Sequence, residues 1–209
     1  GLGDSSSPTA FGVYMGIKSA VNHISGGDSL EGKKVLVQGV GNVGRKLVDH
    51  LLKENANVAI CDINQKNIDL MSDKKITVVD PKNIYDNFYD IISPCALGGI
   101  INNNSLKDIK CDIIAGAANN QLENDSDVPE ELNNKKILYV PDFLINAGGI
   151  ISVYHEQIND LDSKKVMGMT GLIYDKVSSV IKYSDENSIS TNSSAIQLAK
   201  DRITENSKK

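Results

Sequence analysis

In the segment "VLVQGVGNVGRKLVDHLL", residues 35–52, a short apolar run meets three glycines and passes at once into a helical pattern. Few architectures tolerate so abrupt a change of period. Val35–Val37 is a β-branched run of strand length, whereas Val43, Leu47, Val48, Leu51 and Leu52 share one helix face, opposite Arg45, Asp49 and Lys53. A strand that feeds an amphipathic helix is half of a β-α-β unit, which needs a parallel partner strand. The chain offers several. Short β-branched runs recur at Val58–Cys61, Ile76–Val79, Ile91–Ile92, Ile113–Ala115 and Ile137–Val140, with polar helical or loop segments between them. Strands alternating with helices predict an α/β fold: a doubly wound, mostly parallel sheet covered on both faces.

The flanks read as helical. "SPTAFGVYMGIKSAVNHI" spaces Ala10, Val13, Ile17, Val21 and Ile24 at helical intervals, with Ser7 as N-cap, Pro8 at the first helical position and Gly26-Gly27 as the stop. Strand signals end near residue 146. Beyond it Val166, Met169, Ile173, Val177 and Val180 keep one helical period across Gly168 and Gly171, and "SSAIQLAKDRITENSKK" reads as a last amphipathic helix. Without an internal repeat or a low-complexity linker, residues 1–209 read as one domain, with an entry helix in 1–30 and C-terminal helices over 146–209.

Charge and cysteine content exclude some functions. The net charge of −5 and the absence of a basic cluster argue against a nucleic-acid partner. The lysine pairs at 33–34, 74–75, 135–136 and 164–165 are scattered and read as solvated rims. Cys61, Cys95 and Cys111 lie in or near apolar runs without paired spacing, as expected of free thiols in a reducing cytoplasm rather than of disulfides or a metal site. No apolar stretch approaches the ~20 residues of a membrane span, and no signal peptide is visible. The chain begins at Gly1 rather than Met, so it reads as a piece of a longer protein, and a missing leader says little about targeting.

Gly39, Gly41 and Gly44 form G-x-G-x-x-G between the strand and the helix. In that pattern the first glycine allows a tight turn and the second lets main chain approach a pyrophosphate. The third permits close helix–strand packing, and the helix N-terminus favours the anion. The bland alternative is a purely structural turn. Context favours the Rossmann reading: the next strand ends at Asp62, 23 residues beyond Gly39, where a carboxylate can accept from ribose hydroxyls and repel a 2′-phosphate. NAD is therefore expected over NADP, with Lys66 near enough in sequence to moderate the repulsion.

Three more stretches fall at predicted strand ends: "SPCALGG" (93–99), "AGAANNQL" (115–122) and "PDFLINAGGI" (141–150). Periodicity makes them only loops. Together with "GLGDSSSPTAFGVYMGI" and "SLEGKKVLVQGVGNVG", however, they closely resemble the amino-acid dehydrogenase superfamily, from Gly1 to about Arg202. The nearest branch is leucine dehydrogenase, with valine and phenylalanine dehydrogenases close and glutamate dehydrogenase more distant.

The resemblance implies NAD-dependent oxidative deamination of an L-amino acid to a 2-oxo acid and ammonia. It assigns Gly39, Gly41, Gly44 and Asp62 to the cofactor, with Asn42 and Val43 around the pyrophosphate. Pro94, Cys95 and Ala96 fall beside the nicotinamide-side ribose. Thr9, Ala117 and Asn119 fall near the nicotinamide, Asn120 meets cofactor and substrate, and Asn146 lies at the base of the cleft. Ile150 and Val153 line the substrate side-chain pocket, where an apolar pair favours an aliphatic amino acid because a carboxylate would be desolvated without a partner. Without the family, those two would read as ordinary helix core.

The family's proton-transferring lysine and aspartate belong to a separate amino-terminal domain, in "GGGK" and "TAEDVG"-like stretches that do not occur here. No catalytic residue is therefore assigned. His23, His50 and His155 read as structural or surface residues, with His50 on the polar helix face. This chain alone is expected to bind NAD without turnover. The competing readings are a standalone NAD-binding sensor or scaffold, and a phenylalanine or valine dehydrogenase. The parent is expected to be a homo-oligomer, assembled largely through the other domain.

Overall fold

A computed structural model describes residues 2–124 and 127–207. All six β-branched runs form strands: β1 (Lys34–Gln38), β2 (Asn57–Cys61), β3 (Thr77–Val78), β4 (Tyr89–Pro94), β5 (Cys111–Ile114) and β6 (Leu138–Tyr139). They make one sheet in the order β3-β2-β1-β4-β5-β6, with every pairing parallel. This is the Rossmann order, in which the succession of strands across the sheet reverses between β1 and β4. The helices are α1 (Ser6–Ser25), α2 (Asn42–Lys53), α3 (Gln65–Asp69), α4 (Ser105–Asp108), α5 (Asp127–Asn134), α6 (Asp142–Ile145), α7 (Gly148–Gln157), α8 (Ser163–Gly171), α9 (Ile173–Asn187) and α10 (Thr191–Asn206).

Alternation along β1 divides the core. Val35 and Val37 face Val13, Ile17, Leu47 and Leu51, while Leu36 faces Ile92, Ile114, Leu106 and Leu132 on the other side. Burial on both faces explains why the central strands read as continuous apolar runs. Edge strand β3 is shorter than its sequence signal, because both of its residues are exposed and only β2 pairs with it. Register brings the strand ends level: Gln38 stands opposite Cys61 on one side and Pro94 on the other.

The flanking helices depart from expectation in detail. Helix α1 starts earlier, with Ser5 at the N-cap position, because the Asp4 carboxylate accepts the Ser6 N–H at 2.9 Å and does the capping expected of Ser7. Pro8 still lies in the first turn, where a missing N–H costs no helical bond. Ile24, on the last turn, is exposed. The period expected from Val166 to Val180 breaks at Leu172 into α8 and α9. Helix α1 packs against both, and a Cβ at its Gly12 would lie 2.7 Å from Ile145 O and from Ile173 Cδ1. On α10, Ile196 and Ile203 are exposed.

The cysteines are free, with Cys61 and Cys111 buried and Cys95 half-buried. Burial pushes the Cys61 thiol up to about 11 and the Cys111 thiol up to about 12, which keeps both protonated and inert. Among the described residues no helix is long and apolar enough to cross a membrane, and no group of three His, Cys, Asp or Glu could hold a metal ion.

Leu51 is fully buried where α2 meets the sheet. Leu51→Ala is expected to cost about 2–5 kcal/mol of unfolding free energy in urea titration, whereas Lys53→Ala, on the exposed face of the same helix, should change it by less than about 0.5 kcal/mol.

Candidate functional site

The crevice lies where the sheet order reverses, beyond the carboxyl ends of β1 and β4, the position at which open α/β sheets take ligands. Its three glycines meet three different constraints. Gly39 leaves β1 with φ +98°, its N–H donating to Cys61 O at 2.8 Å, and a Cβ there would lie 2.6 Å from Ala96 Cβ. A Cβ at Gly44 would lie 2.0 Å from Gly39 O. At Gly41, the N-cap of α2, a Cβ would meet nothing within 4 Å. Two glycines therefore close the turn against the protein, while the middle one faces open space at a helix N-terminus. Beside it, the Asn42 side chain accepts from the Arg45 guanidinium at 2.9 Å, and Val43 packs half-buried against the core.

Asp62 stands at the end of β2 with its carboxylate already oriented. It accepts from the main-chain N–H groups of Val40 at 2.9 Å and Asn64 at 2.8 Å, and from the Asn67 side-chain amide at 3.0 Å. Burial works against its charged form, but these donors outweigh it and hold the carboxyl below the usual range. The Ile63 main-chain N–H also favours the charged carboxyl, so the group is held chiefly by main-chain donors. Lys66, the expected moderating charge, makes no ion pair with it among the described residues.

The other loops lock onto this turn. Cys95 N donates to Gln38 O at 2.7 Å and Ala118 N to Pro94 O at 2.9 Å, so Pro94, Cys95 and Ala96 are held between β1 and the 115–118 loop. Burial raises the Cys95 thiol, whose sulfur lies 3.6 Å from Ser93 Oγ. Gly99 N donates to Asn120 O at 2.7 Å, and Asn120 takes the left-handed φ of +51°. The Asn146 amide donates to Asn119 Oδ1 at 2.6 Å and to Ala117 O at 3.3 Å. The first turn of α1 completes the group: Thr9 Oγ1 donates to Ser5 O at 2.8 Å, and a Cβ at Gly149 would lie 2.8 Å from Thr9 Oγ1. Asn146 thus joins Ala117 and Asn119, and Thr9 meets the start of α7 at Gly149.

Helix α7 carries the apolar pair on its surface. Ile150 is 71% exposed and Val153 46% exposed, so neither is core. They present an apolar surface just beyond the Asn146 turn.

Two residues that hold the crevice carried no role in the sequence reading. Gln121 is fully buried, its amide donating to Gly116 O at 2.8 Å and Ala118 O at 2.9 Å, and its main-chain N–H to Asp142 Oδ2 at 3.0 Å. Asp142 Oδ1 accepts the Phe143 N–H at 2.7 Å. Both sit inside quoted motifs, but single polar residues after a turn leave no periodic trace. The three histidines have different environments, and one corrects the expectation. His50 is not on an open polar face: it stacks on Tyr14 at 5.0 Å beside Phe11, and burial lowers its pKa. His155 is buried, its Nδ1 3.3 Å from Asp160 Oδ2, and His23 lies 3.5 Å from Asp185 at the surface.

Sheet order, glycine turn and acidic strand end together define a Rossmann-type α/β domain. Residues 1–69 and 59–209 match the family described as Glutamate/Leucine/Phenylalanine/Valine dehydrogenase. The chain belongs to this family of NAD(P)-dependent amino-acid dehydrogenases. It is 43% identical over 204 residues to an L-tryptophan dehydrogenase of Nostoc punctiforme (strain ATCC 29133 / PCC 73102), covering 96% of this chain and 57% of that protein. It is 42% identical over 205 residues to leucine dehydrogenase of Thermoactinomyces intermedius, covering 96% of this chain and 55% of the relative. The crystal structure of L-tryptophan dehydrogenase from Nostoc punctiforme superposes with a TM-score of 0.95 at 40% identity, covering 99% of this chain and 63% of that one. The chain therefore spans little more than half the length of the curated relatives it matches.

Because the folded-state pKa of Asp62 is lowered, its ionised form stabilises the fold above the unfolded-state pKa of about 3.9, and that contribution is lost as pH falls through the folded value. In urea titration, Asp62→Asn should be less stable than the parent chain at pH 7, with the gap closing below pH ~4. A gap independent of pH would contradict the assigned hydrogen bonds.

Proposed function

We propose that the crevice binds NAD and that this chain is the cofactor-binding part of an L-amino-acid dehydrogenase acting on an aliphatic side chain. One observation carries the reading: of the three motif glycines, only Gly41 faces open space, beside an Asp62 carboxylate oriented by two main-chain N–H groups. Gly39, Gly41, Asn42, Val43 and Gly44 hold the pyrophosphate at the N-terminus of α2, and Asp62 accepts from the adenosine ribose. Pro94, Cys95 and Ala96 border the second ribose. Thr9, Ala117, Asn119, Asn120 and Asn146 border the nicotinamide.

When bound, the oxidised nicotinamide supplies the hydride acceptor for oxidative deamination. The residues of this chain bind and orient. The Asn146–Asn119 hydrogen bond fixes the loop that faces the reacting ring, and Asn120 reaches cofactor and substrate together. Ile150 and Val153 receive the substrate side chain, and their exposed apolar surface disfavours a charged one, which would lose water without gaining a partner. Proton transfer belongs to the lysine and aspartate of the family's other domain, so this chain alone binds NAD without turnover. The parent is a homo-oligomer in this reading.

Calorimetric titration of this chain tests the cofactor assignment. NAD should bind at least tenfold more tightly than NADP, and Asp62→Ala should narrow that ratio. No heat with NAD, or equal affinities, would overturn it.

A second reading has its own support: similarity to a tryptophan dehydrogenase matches that to a leucine dehydrogenase, which favours a pocket open to aromatic side chains. In the full-length parent with NAD, kcat/KM is expected to be higher for leucine and valine than for phenylalanine and tryptophan. The reverse order would establish the aromatic reading.

A further inference from the structure

At the other end of the sheet from the glycine turn, a cavity of about 580 Å³ wraps the amino-terminal edge of β2. That volume falls within the ~300–1,000 Å³ of small-molecule sites. Its floor is apolar: Val58 is buried, and Ile76 and Val79 are half-buried. Its rim carries Lys34, Lys75 and Phe88, the last 48% exposed. Among the described residues no Asp or Glu lines it, although acidic residues outnumber basic ones 27 to 22 in the chain.

The sequence neighbours of the two lysines are engaged, Lys33 with Asp90 at 3.8 Å and Lys74 with Asp49 at 3.1 Å. Lys34 and Lys75 have no ion-pair partner among the described residues. These lysines read as solvated rims in the sequence; folding brings them to one cavity. The Asp90 carboxylate accepts the Lys34 main-chain N–H at 2.7 Å but is paired with the Lys33 ammonium, so two ammonium groups without an ion-pair partner stand at a cavity with an apolar floor, which suits an anion with an apolar body. A phosphate monoester, at about −1.5 to −2 charge, matches two lysines better than a single carboxylate does. An exposed phenyl ring on the same rim favours a planar group that can stack on it.

We infer that this cavity is a second ligand site, for a mononucleotide-sized phosphate monoester carrying a planar heterocycle. It is separate from the glycine crevice: β2 runs from Asn57 at the cavity to Cys61 beside Gly39, a rise of roughly 13 Å. Both places can be filled at once. The inference does not depend on NAD occupying the crevice.

The test titrates adenosine 5′-monophosphate, adenosine and inorganic phosphate separately into the ¹⁵N-labelled chain, with and without saturating NAD, and follows main-chain amide shifts. The mononucleotide should move the amides of Asn55, Asn57, Thr77 and Phe88 whether or not NAD is present. Adenosine and inorganic phosphate should each bind at least tenfold more weakly. The double variant Lys34→Gln/Lys75→Gln should weaken the mononucleotide at least tenfold, and Phe88→Leu should weaken it several-fold, with both variants keeping the parent spectrum elsewhere. Shifts confined to residues 40–44 and Asp62, or a response at β2 indifferent to the lysine substitutions, would overturn the second site. Failure of NAD to bind would remove the crevice reading while leaving any response at β2 intact.

Discussion

The structure turns on the contact between Gly39 O and the Cα of Gly44. The chain leaves β1, reverses within a few residues and starts α2 so closely that no side chain fits between them. Because Gly39 also presses on Ala96, the same contact sets how near the turn after β4 can come. Each later loop is built on that spacing: Cys95 bonds back to the end of β1, the 115–118 loop bonds to Pro94, and Asn146 bonds to Asn119. The crevice is therefore shaped mainly by main chain, and side chains such as Asp62 are added to a surface already formed.

Its rigidity comes from both sides. Beneath, level strand ends and a core buried on two faces hold the loops at one height. Behind, the amide of Gln121 and the carboxylate of Asp142 satisfy main-chain groups that the 115–122 turn would otherwise bury without partners. Asn120 holds a left-handed conformation within this brace, which costs a non-glycine residue of order 1 kcal/mol. It is offset by the hydrogen bonds on either side.

Strand positions were legible because a sheet buried on both faces demands unbroken β-branched runs, and the first turn because its glycines sit at fixed offsets between strand and helix. Roles for Asn119, Asn146, Ile150 and Val153 came from family resemblance; periodicity alone would have put the last two in the core, which their exposure rules out. What stayed hidden depends on chain segments meeting in space. Capping by Asp4 needed the path of the chain before α1, and the environment of His50 needed α1 laid across α2. The break at Leu172 falls between two stretches that keep the same helical period, so no spacing announces it. The lysine-rimmed cavity gathers residues from around positions 34, 75 and 88, and no single stretch contains its pattern.

The parallel order has a consequence for how the chain reaches this form. Strand β1 sits mid-sheet, and its neighbour β4 is distant in sequence, with Val35 paired to Ile91. Loop-closure entropy must be met before that pairing repays it, and such non-local contacts slow assembly. During synthesis, the β1-α2-β2 unit emerges with one apolar edge bare until the second half of the sheet leaves the ribosome. Over that interval the unpaired edge of β1 is open to pairing with any other strand that reaches it.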